Sequence, residues 1–273
     1  MPYANKVYKQ IDNTEARGAK RAKIEIRENV AKAVAGPLHV FDAFAGAGVL
    51  HRAVWRDLAA SYTGCDKRYF RDGRRVFVGD NRRVLRAIDL SAFNVFDLDA
   101  YGSPWEQAVI IAAKRKLAPG ERAAIIVTDN MMQYRNAMVA HGLRDLTGLR
   151  HRATPGKSMS RNHGAILAVI WNELATRMHA KLVRIWQADN RTGGVGVAYV
   201  GVVFEGLPEA ERAPARARVQ NAAAARAQSF APDAGLELRS LEELASPTSV
   251  VNDVASRAKD SRRRAGGRAG GRA

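Results

Sequence analysis

LHVFDAFAGAGVL, residues 38–50, joins a short apolar strand to a turn that contains Gly46 and Gly48. A helical pattern follows, from Val49 to Ala60. A glycine-rich turn between a strand and a helix lets a ligand approach the backbone closely and exposes helix N-terminal amides. The turn lacks the GxGxxG order of a dinucleotide site and the GK[ST] ending of a P-loop. It therefore predicts a ligand-binding turn in an α/β fold and leaves the ligand open.

Beyond this turn, strand and helix patterns alternate along the chain. Strand patterns lie at 61–66, 76–80, 93–99 and 123–129, and helix patterns lie at 82–88 and 105–115. Such alternation predicts a parallel sheet with helices on both faces. A buried helix is then predicted over 165–182, followed by two β-rich runs at 181–188 and 195–205. The intervening DNRTGG (189–194) predicts that these runs form an antiparallel hairpin at the sheet edge.

Acidic residues end the first three predicted strands. Asp42 ends the first strand, Asp66 the second and Asp80 the third, where Asn81 follows. Because ligands bind outside the carboxyl ends of strands in such sheets, these side chains are expected to share one site. Asp66 stands about 20 residues after the glycines, where a carboxylate can accept hydrogen bonds from both hydroxyls of a ribose. Each acid taken singly could instead be a helix N-cap or a turn residue.

The glycine turn and the three acids together resemble the class I SAM-dependent methyltransferases, over roughly residues 38–205. The resemblance implies an α/β fold, the Rossmann-like class I methyltransferase fold, with a mostly parallel sheet and a terminal antiparallel hairpin. It also implies S-adenosyl-L-methionine (SAM) as the cofactor. In that arrangement Asp66 holds the ribose, and Asp80 with Asn81 lies by the adenine. The residues implied around the methionine moiety are Asp42, Phe44, Gly46 and Gly48.

DLDAYGSPW, residues 97–105, follows the fourth predicted strand. In the resembled fold this position faces the methyl donor. A carboxylate there can accept a hydrogen bond from an exocyclic amine, and an adjacent aromatic ring can stack on a base. Strand alternation puts Asp97 and Asp99 on one face, so either acid can be the structural one. Asp99 is the stronger catalytic candidate because it is the nearer to Tyr101.

This motif resembles the DLDPYGSP-type motif of the tRNA guanine N2-methyltransferase/dimethyltransferase family, and more distantly the (D/N)PP(Y/F) motif of amino-group methyltransferases. It departs from both at Ala100, where those families usually carry Pro. The resemblance implies methyl transfer to guanine N2 in RNA, with tRNA first, and catalytic roles for Asp99, Tyr101 and Asp97. Three alternatives stay open: a DNA amino-methyltransferase acting on adenine N6 or cytosine N4, a non-catalytic nucleic-acid-binding relative, and a small-molecule methyltransferase.

A formal net charge of +17, from 44 Lys+Arg against 27 Asp+Glu, favours a polyanionic partner, RNA before DNA. Basic residues cluster in the N-terminal segment 1–37, which is predicted to be helical, and in the tail 255–273, which is predicted to be disordered. Between them lie the predicted catalytic domain, 38–206, and an Ala/Arg-rich helical extension, 207–254. A third basic cluster follows the fifth strand, and its candidate phosphate-binding residues are Arg150, Arg152, Lys157 and Arg161.

Several other classes of protein are disfavoured. Cys65 is the only cysteine, so no internal disulfide or cysteine-based zinc site can form. The six histidines show no HxxxH or HxH spacing, and no metal is expected. No run approaches the ~20 apolar residues that a membrane span needs, and the N-terminus lacks an apolar signal core. We expect a cytoplasmic protein without a membrane partner, and the oligomeric state stays open.

Overall fold

A computed structural model describes residues 17–130, 134, 136, 139–149, 159, 161–192 and 195–217. Helices and strands follow one another in the order α1 (Arg17–Val34), β1 (His39–Asp42), α2 (a π-helical turn, His51–Trp55, then Arg56–Leu58), β2 (Ser61–Asp66), β3 (Val76–Val78), α3 (Asn81–Ala87), β4 (Val95–Leu98), α4 (Trp105–Lys114), β5 (Arg122–Asn130), α5 (His141–Thr147), α6 (His163–Arg177), β6 (Ala180–Thr192), β7 (Val195–Gly206) and α7 (209–217).

The strands form one seven-stranded sheet in the order β3-β2-β1-β4-β5-β7-β6. Strands β1 to β5 are parallel, whereas β7 runs antiparallel to both β5 and β6. The predicted fold, a mostly parallel sheet with a terminal antiparallel hairpin and flanking helices, is confirmed. The strand order reverses between β1 and β4, and the crevice at such a point is where open α/β sheets bind ligands.

Helices cover both faces of the sheet, so the central strands are apolar along most of their length. Alternate side chains of β5 enter opposite cores. Ile125 belongs to the larger core, which contains Trp105 of α4. Ile126 belongs to the core on the other face, which contains Trp55 of α2 and the apolar side of α1.

Helix α1 lies very close to β7. The reason is Gly201, since a Cβ at this residue would lie 2.7 Å from the Cγ2 atoms of both Ile26 and Val30. Real Cβ atoms do not approach carbon atoms so closely, so any larger residue would push the helix outward. The close approach brings the charged residues of α1 within reach of β4.

Two boundaries differ from the sequence prediction: the end of the helix predicted over 165–182, and the end of the strand predicted over 181–188, since β6 continues to Thr192. Helix α6 begins at His163 and ends at Arg177, five residues before the predicted end at residue 182. His179 adopts a left-handed backbone conformation, φ 57°, which stops the helix and starts β6 at Ala180. Residues 67–75 connect β2 to β3 without a helix. The predicted tail and most of the predicted helical extension lie outside the described residues.

No helix among the described residues has both the length and the apolar character that a membrane crossing requires.

Candidate active site

The strand-end acids predicted to share a site do meet at one edge of the sheet. Asp42 and Asp66 are the last residues of β1 and β2, and these two strands are neighbours. Asp80 follows β3, and Asp99 follows β4. The parallel register pairs Asp42 with Asp97, which places the fourth strand directly beside the first.

The glycine turn after β1 is joined to the end of β2. Gly46 N donates a hydrogen bond to Asp66 Oδ2 at 3.0 Å, and Asp66 Oδ1 accepts one from Arg68 N at 2.8 Å. Gly46 has φ 44°, and a Cβ placed on it would meet only the Phe44 carbonyl oxygen, at 3.8 Å. The backbone at Gly46 is therefore open to a ligand. The neighbouring carboxylate of Asp66 retains unused lone pairs.

Arg74 is a functional candidate that sequence reasoning missed. Its Nη1 donates to Ala45 O at 2.9 Å and its Nη2 to Gly46 O at 2.7 Å, so it holds the outer side of the turn. A Cβ on Gly48 would lie 2.7 Å from Arg74 Cζ, and Gly48 also has φ 75°. Gly48 is thus required both by backbone conformation and by this contact. One arginine in the basic run KRYFRDGRR (67–75) carries no pattern that would identify it.

Asp42 is buried beneath the turn and organises it. Its Oδ1 accepts a hydrogen bond from Phe44 N at 3.0 Å, and its Oδ2 accepts one from Tyr62 Oη at 2.8 Å. Burial, together with the nearby charge of Asp97, raises the pKa of Asp42 to about 7. The half-buried Phe44 ring packs on the larger core. Their predicted contacts with the methionine moiety stay predictions.

Asp80 and Asn81 are engaged within the protein. Asp80 caps α3 by accepting a hydrogen bond from Arg82 N at 2.9 Å, and it forms a 2.8 Å ion pair with the same residue. The hydrogen bonds from Arg82 hold the pKa of Asp80 well below its usual value. Asn81 donates to Ala43 O at 2.8 Å and accepts from Gln107 Nε2 at 2.9 Å. These contacts hold Asp80 and Asn81 in place after strand β3. Their predicted contact with the adenine of the cofactor stays a prediction.

Asp97 is closed off from solvent. Arg27 of α1 donates to both carboxylate oxygens, Nε to Oδ2 at 2.7 Å and Nη2 to Oδ1 at 2.6 Å. Trp55 Nε1 donates to Oδ2 at 2.8 Å. Its side-chain exposure is 0%. These contacts favour a structural role for Asp97, and its predicted catalytic role stays a prediction.

Asp99 stands at the rim of the same strand. Lys23 Nζ of α1 lies 2.8 Å from its carboxylate, and Thr128 of β5 donates a hydrogen bond to Oδ1. Burial disfavours its charge, but the charges of Lys23 and Arg27 and the hydrogen bonds outweigh burial, so the pKa of Asp99 is lowered. The side chain remains 14% exposed. Nearby Tyr101 is 77% exposed, which leaves its ring free to stack.

A second buried polar cluster was not predicted from the sequence. Asp129, at the end of β5, accepts a hydrogen bond from Tyr134 Oη at 2.7 Å, and its Oδ2 lies 3.0 Å from His163 Nε2. Trp105 Nε1 donates to Tyr134 Oη at 3.1 Å. Through Trp105 and His163, the cluster links helices α4 and α6 to strand β5. Tyr134 and His163 lie before and after the predicted basic loop in the sequence. These residues are 5 and 34 positions apart from Asp129, and no motif connects them.

The predicted phosphate-binding loop falls largely outside the described residues. Arg150, Arg152 and Lys157 lie there, and Arg161 is exposed just before α6. Within the described ranges, no group of His, Cys, Asp and Glu could hold a metal ion.

Comparisons with known proteins give structural likenesses only. No protein-family model and no curated protein matches the chain. A structure of Trm1 from Pyrococcus horikoshii with S-adenosyl-L-methionine is similar at 16% identity and a TM-score of 0.42, over 68% of this chain and 56% of that one. The N-methyltransferase NodS from Bradyrhizobium japonicum is similar at 9% identity and a TM-score of 0.42, over 71% and 99%. TYW2 from M. jannaschii with AdoMet is similar at 14% identity and a TM-score of 0.40, over 68% and 77%.

This chain therefore spans just over half the length of the Trm1 chain that it resembles. The fold assignment rests on the strand order and strand directions described above.

Proposed function

We propose that this chain is a SAM-dependent N-methyltransferase that transfers a methyl group to an exocyclic amine of a nucleic-acid base, with guanine N2 in tRNA as the first candidate. The observation that carries the proposal is the rim of β4. There, an ionised and partly open Asp99 lies beside an exposed Tyr101. Both stand at the sheet edge that also carries the open glycine turn and Asp66.

The residues at this edge fit SAM by their chemistry. The open backbone at Gly46 suits the methionine end of the cofactor. Asp66 uses its oxygens for two backbone amides, and a carboxylate offers about four lone-pair sites, which leaves capacity for a ribose diol. When bound, SAM supplies an electrophilic methyl group on a sulfonium centre.

The chain's own contribution is orientation of the amine. Asp99 accepts a hydrogen bond from the amine and turns its nitrogen lone pair toward the donor, while Tyr101 stacks on the base. Because its pKa is lowered, Asp99 is a weak base, so positioning accounts for more of its effect than proton abstraction. The proton released on methylation leaves through Asp99 toward solvent.

A DNA amino-methyltransferase is the second candidate, since adenine N6 and cytosine N4 present the same kind of amine. The turn DAFAGAG (42–48), which resembles the general version found in rRNA and DNA methyltransferases, favours this alternative. Such an enzyme would turn its target base out of the duplex into the same site.

The test is methyl transfer from radiolabelled SAM to unmodified tRNA, rRNA and unmethylated duplex DNA, offered in parallel at low salt. Nucleoside analysis of the product identifies the base. Label in methylguanosine from tRNA supports the first candidate, and label in methyladenine or methylcytosine from DNA supports the second. Asp99→Asn should reduce the rate of labelling about 100-fold, whereas Asp57→Asn, at an exposed acid paired with Arg56, should leave it unchanged. Unchanged transfer by Asp99→Asn would sink the proposal and favour a role without methylation at this site.

The basic loop is proposed as a phosphate contact of the same substrate, through Arg150, Arg152, Lys157 and Arg161. Because each phosphate contact releases about one counterion, substrate affinity should fall steeply with salt. A substrate affinity that stays the same between about 50 and 200 mM salt would exclude this role.

A further inference from the structure

The segment from residue 67 to residue 78 forms an exposed basic surface, here called the β2–β3 surface. It comprises the connection 67–75 and the edge strand β3. Its exposed cations are Lys67, Arg68, Arg71 and Arg75. Arg74 belongs to the same segment but faces inward, with a side chain that is 3% exposed.

Large apolar side chains are concentrated on the same surface. Within the described part of the chain, five large hydrophobic side chains are exposed, and three of them lie here: Tyr69 at 68%, Phe77 at 36% and Val78 at 55%. A further one, Tyr101, belongs to the rim of β4. Exposed aromatic rings set among cations form the kind of surface that binds unpaired bases and phosphates together.

The segment 66–80 carries five Lys and Arg residues against three acids, Asp66, Asp72 and Asp80, so its acids do not neutralise its cations. Asp72 is paired with Arg74, and Asp80 with Arg82. The surface thus presents net positive charge, which complements a polyanion and disfavours a basic or neutral partner.

The connection is also held in a defined shape. Arg75 O accepts a hydrogen bond from Gly64 N at 2.8 Å, and Arg68 N donates to Asp66 Oδ1. Arg74 anchors the inner side of the connection on the glycine turn. A surface fixed in this way binds with a smaller loss of conformational entropy than a flexible tail.

We propose that the β2–β3 surface is a binding site for the nucleic-acid substrate, in which its cations contact phosphates and Tyr69 stacks on an unpaired base near the target. The inference rests on the proposed function. The surface begins at the end of β2, two strand spacings from β4, and ends on β3, three spacings from β4, so it lies about 10–15 Å away. A nucleic-acid strand that advances about 3.4 Å per nucleotide covers this separation in roughly three to four nucleotides. The surface therefore contacts nucleotides that flank the modified base.

The experiment compares three variants by fluorescence anisotropy with an unmodified tRNA transcript at several salt concentrations. Arg68→Ala/Arg71→Ala should weaken binding about tenfold at low salt and reduce the salt slope by roughly 1.5, since two phosphate contacts are lost. Tyr69→Ala should weaken binding at least fivefold with an unchanged slope, because stacking releases no counterions. Lys32→Ala/Lys181→Ala is the control: it removes two exposed lysines far from this surface, one on α1 and one on the edge strand β6, where Lys181 is paired with Glu205, and it should leave both quantities unchanged.

SAM binding and circular dichroism establish that each variant is folded. If the wild type binds tRNA while Arg68→Ala/Arg71→Ala and Tyr69→Ala bind equally well, the inference is wrong and the proposed function stands. If these variants change only the oligomeric mass, the surface is an interface between protein chains and the inference is equally wrong. If the wild type binds neither tRNA nor DNA at low salt, the proposed function itself fails.

Discussion

Helix α1 makes two ion pairs with the end of strand β4, and these pairs differ in what surrounds them. Arg27 and Asp97 are 1% and 0% exposed. One helical turn away, Lys23 and Asp99 are 8% and 14% exposed. The same helix thus supplies one cation to a closed acid and one to an acid at the rim.

The difference shows how burial assigns roles to two chemically identical residues. Around Asp97, Arg27 and Trp55 donate three hydrogen bonds to a carboxylate that has no exposure to solvent. Around Asp99, one side remains open at the candidate site. The closed pair fixes α1 on the sheet, and the rim pair keeps a carboxylate ionised at the position proposed for the substrate amine.

The largest effect is expected from breaking the closed pair. Arg27→Met should lower the free energy of unfolding by about 3–5 kcal/mol, because it leaves Asp97 charged and unpaired in the core. Urea denaturation followed by circular dichroism measures this loss. The double variant Arg27→Met/Asp97→Leu should recover most of it, since no uncompensated charge remains. A loss below about 1 kcal/mol in the single variant would contradict a structural role for this pair.

Neutralising the rim acid should affect activity more than stability. Asp99→Asn is expected to lower kcat/KM by about 100-fold, which corresponds to roughly 2.7 kcal/mol of transition-state stabilisation. Its melting temperature should fall less than that of Arg27→Met, because the asparagine amide oxygen still accepts a hydrogen bond from Lys23 and the side chain is more exposed than that of Asp97. Steady-state kinetics and calorimetry on the same preparation separate the two quantities. A variant that loses stability but keeps its kcat/KM would reverse the roles given to the two acids.

Removing the rim cation should shift the pH dependence of activity. Lys23 lowers the pKa of Asp99, so wild-type activity is lost only as the pH falls through that low pKa. In Lys23→Met this pKa rises, and the acid limb of the kcat/KM profile should move to higher pH. At a pH just below the new limb, kcat/KM of the variant should be about tenfold lower than that of the wild type. Lys23→Arg should restore the wild-type limb. Identical profiles for Lys23→Met and the wild type would show that Lys23 does not act on Asp99.

The smallest effect is expected from removing the hydrogen bond between Thr128 and Asp99. Thr128→Val removes the hydroxyl that donates to Asp99 and keeps the β-branched shape that suits strand β5. Loss of one such hydrogen bond is worth about 1 kcal/mol, or roughly a fivefold decrease in kcat/KM. Thr63→Val, at another buried threonine of the sheet, is the matched control and should leave kcat/KM unchanged.

Local patterns in the sequence were sufficient to predict the sheet. Alternating strand and helix segments gave its parallel part, and DNRTGG (189–194) gave the hairpin. Strand-end position brought Asp42, Asp66 and Asp80 together for the same reason, because all carboxyl ends of parallel strands share one edge. These are properties of short segments and of their order.

Long-range contacts could not be predicted in this way. Asp97 and Asp99 are equivalent by alternation, and the distinction comes from α1, which is 70 and 76 residues away in the two contacts. The hold of Arg74 on the glycine turn depends equally on tertiary packing. The predicted helix over 165–182 was too long because nothing in TRMHAKL (176–182) indicates that His179 adopts a left-handed backbone conformation.

The close packing of α1 on Gly201 has a consequence for the order of folding. The helix is synthesised well before β7, which begins at Val195 and supplies the surface against which Ile26 and Val30 pack. At about 5–20 residues per second, roughly 8 to 35 seconds separate the two on the ribosome. During that interval the apolar side of α1 and the charges of Arg27 and Asp97 lack their final enclosure. The emerging chain therefore depends on β7 to complete the core to which α1 contributes, and the apolar side of α1 is available to chaperones during that interval.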